Sequence, residues 1–193
     1  MNPLQQSAEF LIVTLFDLYL MVLLLRFILQ YLKADYYNPF TQFVLKCTQP
    51  VVKPLRRFIP GWRGIDFATL SALYGFALIK LFLIALIHYK TAPFVPGLLI
   101  WGIADLLKLV INLYFWGIIL QVILSWVSPM SHTPFTEILY RLTWPVLKPF
   151  KRFIPPLGGI DITPLFAILA LQLINILIVN TLVGVGVIIS ITG

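Results

Sequence analysis

Few residues of this chain are of a type that does chemistry, and several of them stand inside long apolar runs. Asp17 and Lys80 are a carboxylate and an ammonium in such surroundings, where an unpaired charge is costly. Counted from the ends of their runs, both fall about 12 Å from the same membrane boundary, at ~1.5 Å per helical residue. An ion pair is expected. An offset of 95 residues carries Asp17 to Asn112 and Lys80 to Asn175, so an amide pair should repeat the charged pair at the same depth. These four side chains would form one polar layer, which either holds helices in register or lines a path for an ion. Arg26 is nine residues from Asp17, half a turn out of phase, and is expected to snorkel to the membrane surface. Asp105 and Lys108 stand at i and i+3 and are expected to pair locally.

The other reactive side chains belong to a repeated segment. Residues 48–66 read TQPVVKPLRRFIPGWRGID and residues 143–161 read TWPVLKPFKRFIPPLGGID, with no gap between the two registers. The first copy presents Lys53, Arg56 and Arg57, the second Lys148, Lys151 and Arg152. Such clusters attract anionic headgroups, at roughly 1 kcal/mol per charge near the surface, or dock a partner protein. Pro50, Pro54 and Pro60, with Pro145, Pro149 and Pro155, are expected to forbid a continuous helix. Gly64 and Asp66, with Gly159 and Asp161, should turn the chain and cap the next helix. Just upstream, Asn38-Pro39 and Thr133-Pro134 read as helix starts. Phe40, Phe43, Val44 and Cys47, and Phe135, Ile138, Leu139 and Leu142, then recur as one apolar stripe. Each is expected to be a short helix lying on the inner leaflet or against the bundle.

Catalytic patterns are missing. There is no P-loop, GxSxG, CxxC or HExxH, and His88 and His132 fall at opposite membrane boundaries. No enzyme activity, cofactor or metal site is expected. Cys47 is the single cysteine, which rules out an internal disulfide.

Composition defines the elements that must hold these residues. The chain of 193 residues is 60% hydrophobic and 11% charged, against ~25% charged in soluble domains. Four runs exceed the ~20 apolar residues that cross hydrocarbon, near Phe10–Tyr31, Phe67–His88, Leu98–Val127 and Ile162–Val183. They must be helices, since a segment in lipid has to satisfy its own backbone. The first run lacks a basic n-region and is expected to be a retained span. The expected fold is an all-α membrane protein of one domain, with repeat one at 1–95 and repeat two at 96–193. Net charge is +7, with ten basic residues in the two repeated loops against Lys90 alone in the intervening link. The positive-inside rule puts both loops in the cytoplasm and both termini outside, the repeats sharing one orientation. Nucleic acid is not an expected partner, because the cations belong to no reading module.

The paired PVxKPxRRFIPxxxGID-type segments, each between two spans, resemble the YggT/YlmG family of integral membrane proteins over nearly the whole chain. The shared positions are Pro50, Lys53, Pro54, Arg57, Pro60, Gly64 and Asp66, and Pro145, Lys148, Pro149, Arg152, Pro155, Gly159 and Asp161; Lys151 stands where the first copy has Arg56. The resemblance implies the bacterial inner membrane and a link to osmotic and potassium homeostasis. It also implies, for other members, cell division or cytochrome maturation. It supplies no catalytic residues. An accessory protein binding lipid or partners through its loops, or a small permeation protein that works as an oligomer, would each fit.

Overall fold

The computed structural model describes residues 2–62, 64–90, 92–127, 133–154 and 161–192. Pro155, Gly159 and His132 lie outside the described residues. The chain is helical: α1 is Pro3–Tyr31, α2 Pro39–Leu55, α3 Phe67–Tyr89, α4 Val95–Val127, α5 Pro134–Phe153 and α6 Thr163–Ile174. A π-helical turn, Asn175–Val179, then leads into α7, Asn180–Thr192. Four stretches are long and apolar enough to cross a membrane: α1, α3, α4 and the continuous Thr163–Thr192. They overlap the four expected runs, but the first begins earlier, at Pro3, and the last runs on past Val183 to Thr192.

Most helix starts follow their local chemistry. Asn38 accepts a hydrogen bond from the Phe40 N–H at 2.9 Å, and Thr133 from the Thr136 N–H at 3.2 Å. Each is followed by proline at the first helical position, where no N–H is needed. α2 and α5 differ from expectation in running through their prolines, Pro50 and Pro54 in one and Pro145 and Pro149 in the other. The four-residue spacing explains this. Each proline leaves unpaired the carbonyl four residues back, on Lys46 and Pro50 or on Arg141 and Pro145. All of these residues are exposed, so the orphaned carbonyls can be solvated.

The core begins where α3 lays Ala68, Ala72 and Ala77 against Leu20, Leu23 and Leu24 of α1 and Leu109 and Leu113 of α4. Small residues let these helices approach closely, which is what drives packing where lipid removes the hydrophobic incentive. Val52 of α2 and Leu142 of α5 close the same cluster. A second cluster joins Ile111 and Ile118 of α4, Leu147 of α5, Ala167 and Leu171 of α6 and Val179. α4 and α7 cross at glycine: a Cβ on Gly186 would stand 2.6 Å from the Trp101 backbone nitrogen. The Phe94 N–H also donates to the Ser190 carbonyl at 2.8 Å.

The stripe expected on α2 is rotated in the structure. Val44 is buried, but Phe43 and Cys47 are exposed, and the buried face is Thr41, Val44, Thr48 and Val52. Threonine can be buried in a helix because its hydroxyl bonds a carbonyl one turn back, as Thr48 does to Val44 at 2.7 Å. In α5 the expected Ile138, Leu139 and Leu142 are buried. Phe40 and Phe135, equivalent residues of the two copies, meet edge to face at 5.6 Å. The Asn38 amide donates to the Pro134 carbonyl at 2.8 Å.

Candidate functional site

The repeated segment is a folded device. Trp62 and Ile65 exchange backbone hydrogen bonds of 3.1 and 3.0 Å, closing a tight turn in which Gly64 takes φ 85°, a conformation glycine adopts without strain. The turn delivers Asp66 to the start of α3, where its carboxylate accepts from the Thr69 N–H at 3.3 Å and the Thr69 hydroxyl at 2.6 Å. Arg56, at the end of α2, reaches the same carboxylate at 2.5 Å. Burial works to raise the Asp66 pKa, but the bonds from Arg56 and Thr69 outweigh it and hold the carboxyl below its usual range. Copy two repeats the link: Lys151 Nζ lies 3.1 Å from Asp161, and Asp161 accepts from the Thr163 N–H at 2.9 Å. There too burial raises the carboxyl pKa, and the bonds from Thr163 and Lys151 more than reverse it. One cation of each cluster therefore ties its helix to the next span. Lys53, Arg57, Lys148 and Arg152 remain exposed, with no carboxylate within 4.0 Å among the described residues.

Arg26 does not snorkel. It is 5% exposed, because α2 supplies acceptors at its own depth. Its guanidinium donates to the Thr48 hydroxyl at 2.8 Å and the Leu45 carbonyl at 3.5 Å, with Asp66 4.0 Å away. At the offset of 95, Gln121 takes the place of Arg26 and Thr143 that of Thr48. Those two side chains are hydrogen-bonded as well. Sequence reasoning missed this pair of links, although Thr48 and Thr143 are among the identical positions of the repeat.

Deeper in the bundle, Lys80 Nζ stands 2.6 Å from Asp17 Oδ1, as expected. It also contacts Asp105, at 2.8 Å from Oδ1 and 2.6 Å from Oδ2. The local pairing of Asp105 with Lys108 does not occur. An almost fully buried ammonium with three donors gains from a second carboxylate across the helix interface, while Lys108 points outward and is exposed. Spacing could not have revealed Asp105, whose counterpart in copy one is Phe10. The amide half of the expected layer is not assembled. No hydrogen bond joins Asn112 to Asn175, and the buried Asn175 Oδ1 has no partner. The π-helical turn starts at Asn175, with the Asn180 N–H bonding the carbonyl five residues back, which shifts the helix phase there.

The result is two carboxylates around one ammonium within the spans, and a cation-rich face on α2 and α5. Neither arrangement pairs a nucleophile with a base. Glu9 and His88 meet at 2.9 Å where α1 begins and α3 ends. Among the described residues no group of three or more His, Cys, Asp or Glu side chains converges as a metal site.

Comparison with known sequences follows the same two-part division. The CCB3/YggT family profile matches residues 5–87 and again 100–182, two stretches displaced by the repeat offset. An uncharacterized protein of Pseudomonas aeruginosa is 43% identical over 94% of this chain and 93% of its own. The uncharacterized protein YggT of Escherichia coli K12 is 41% identical over 93% of each chain. A chloroplastic YlmG homolog of Arabidopsis thaliana is 33% identical over 46% of this chain and 36% of its own. No solved structure matches.

Proposed function

Because the chain belongs to the CCB3/YggT family, we propose that it is a non-enzymatic accessory protein of the bacterial inner membrane. It binds anionic headgroups or a partner protein through a cationic face of α2 and α5, and it contributes to osmotic and potassium homeostasis. The observation that carries this reading is the division of the motif's cations. Arg56 and Lys151 make ion pairs that brace the fold, while Lys53, Lys148 and Arg152 on the proline-bearing helices, and Arg57 just past the end of α2, stay exposed. Fixing two helices in place only to leave four charges unpaired makes sense for a surface that meets something negative.

The proposed orientation has both termini outside and both motif helices, amphipathic and interfacial, on the cytoplasmic side, the two repeats running in the same direction. It is supported by the excess of basic residues in the two loops. The contact of Phe40 with its own equivalent Phe135 fits two copies related by an axis along the membrane normal.

Replacing Lys53, Arg57, Lys148 and Arg152 together by Gln leaves six loop cations of the ten, enough to keep the topology. Cross-linking pull-down from native membranes should then recover less anionic lipid or partner, most clearly at low salt. Growth after an osmotic upshift should fall with no loss of protein. Unchanged recovery and growth would sink the docking role.

A second reading, permeation by an oligomer, is favoured by one feature: Lys80 neutralises only one of its two carboxylates, and Asp17 is 44% exposed on the outside of the bundle. Ion flux in proteoliposomes tests it.

A further inference from the structure

The ends of α1 and α2 enclose a cavity of about 290 Å³ whose charged lining is entirely basic: Arg26, Lys33 and Arg56. Gln30, Tyr36 and Thr41 add polar groups to the wall. Two of the lining side chains hold buried polar atoms with no hydrogen-bond partner, Arg26 Nε and Thr41 Oγ1. Both residues are more than nine-tenths buried, at 5% and 6% exposure. A buried donor left without an acceptor costs free energy, and both residues line this one space. Asp66 does not balance the charge. Asp66 faces two guanidiniums, Arg56 at 2.5 Å and Arg26 at 4.0 Å, and Lys33 adds a third cation. These three cations and Asp66 together carry an excess of two positive charges.

We propose that this cavity is a binding site for a phosphate group, held by Arg26, Lys33, Arg56 and the Thr41 hydroxyl. Phosphate oxygens would accept from Arg26 Nε and from Thr41, and guanidinium is the side chain best matched to that geometry. A cavity of about 290 Å³ holds a phosphate with part of a glycerol headgroup, and basic pockets at the membrane face of a helical bundle are a recurrent way of seating anionic headgroups. The second repeat provides an internal contrast. Its corresponding cavity, about 770 Å³, has Gln121, Ser125 and Thr136 where the first has Arg26, Gln30 and Thr41. Asp35 and Glu137 line it, and carboxylates repel a phosphate. Among the described residues, copy one alone gathers cations around its cavity. This site goes beyond the exposed face proposed above and does not depend on it.

The test uses the purified full chain in neutral detergent, followed by thermal unfolding with phosphatidylglycerol, diacylglycerol or inorganic phosphate added. Protection by phosphatidylglycerol alone assigns the site to a lipid headgroup. Protection by inorganic phosphate as well, or alone, assigns it to the phosphate group itself. Arg26→Gln, which installs the side chain copy two already uses to bond its threonine, should weaken the protecting ligand by about tenfold or more. Should that variant not fold, Lys33→Gln with Thr41→Val, away from the Thr48 bond, should show the same loss. The Lys53, Arg57, Lys148 and Arg152 quadruple change should leave this binding intact. Equal protection by diacylglycerol, no protection by any ligand, or full binding in the pocket variants would overturn the site. Loss in the quadruple variant alone would do so too, while sparing the docking face.

Discussion

Lys80 holds one positive charge between Asp17 and Asp105, which come from different helices, α1 and α4. Removing it leaves two carboxylates facing each other in low dielectric. Lys80→Ala should therefore cost ~3–5 kcal/mol, the range for breaking a buried pair. The two aspartates should not be equivalent. Asp105 is 17% exposed and Asp17 44%, so Asp105→Asn should destabilise more than Asp17→Asn. The triple change Lys80→Gln, Asp17→Asn and Asp105→Asn removes every charge at once and should lie near wild type. Unfolding of the four variants in detergent decides it. A Lys80→Ala protein as stable as wild type would mean that the contacts contribute nothing. The same reasoning, that a buried charge keeps whatever partners lie in reach, explains why Arg26 stays inside with Thr48 while Lys108 does not pair with Asp105.

At the scale of the helix, the decisive property is how closely two backbones can approach. Gly186 and Gly97 let α4 and α7 touch: a Cβ on Gly97 would meet the Ser190 backbone, and one on Gly186 would lie 2.6 Å from the Trp101 nitrogen. Backbone cannot rotate aside as a side chain can. Gly186→Ala should therefore destabilise by about 1–3 kcal/mol, the usual cost of overpacking. Gly184, two residues earlier on α7, has open space where a Cβ would stand, with nothing within 4 Å, and Gly184→Ala should be neutral or gain from helix propensity. Equal melting temperatures for the two variants would show that the crossing is looser than its geometry. The prolines of α2 and α5 obey a related rule, since a helix tolerates them where the freed carbonyls face outward.

For the whole molecule, topology is the property on which the docking face depends. In a Cys47→Ser background, a membrane-impermeant thiol reagent applied from outside should label Lys90→Cys, in the exposed link between α3 and α4. It should not label Lys53→Cys or Lys148→Cys, which are exposed and free of the ion pairs that hold Arg56 and Lys151. Labelling of either motif position from outside would reverse the proposed orientation and remove the headgroup face from the cytoplasm.

The sequence by itself determined the four spans, the two-copy organisation, the family resemblance, the caps at Asn38 and Thr133 and the Asp17–Lys80 contact. Each of these rests on periodicity, on local chemistry or on a charge that has few places to go in an apolar run. Only the tertiary structure decided the rest. Asp105 completes the Lys80 cluster because α4 packs beside α3, a neighbour relation that no spacing along the chain encodes. Arg56 leaves the pool of free cations because a tight turn brings Asp66 back against it, and Lys151 because it reaches Asp161. Asn112 and Asn175 are not hydrogen-bonded to each other; the last span turns π-helical from Asn175 to Val179, an irregularity the repeat offset does not announce. Arg26 and Thr41, each with a buried polar atom that makes no hydrogen bond, line one cavity because α1 and α2 converge there. Separation along the chain sets which residues can share a helix face; the packing of helices sets which charges must answer one another.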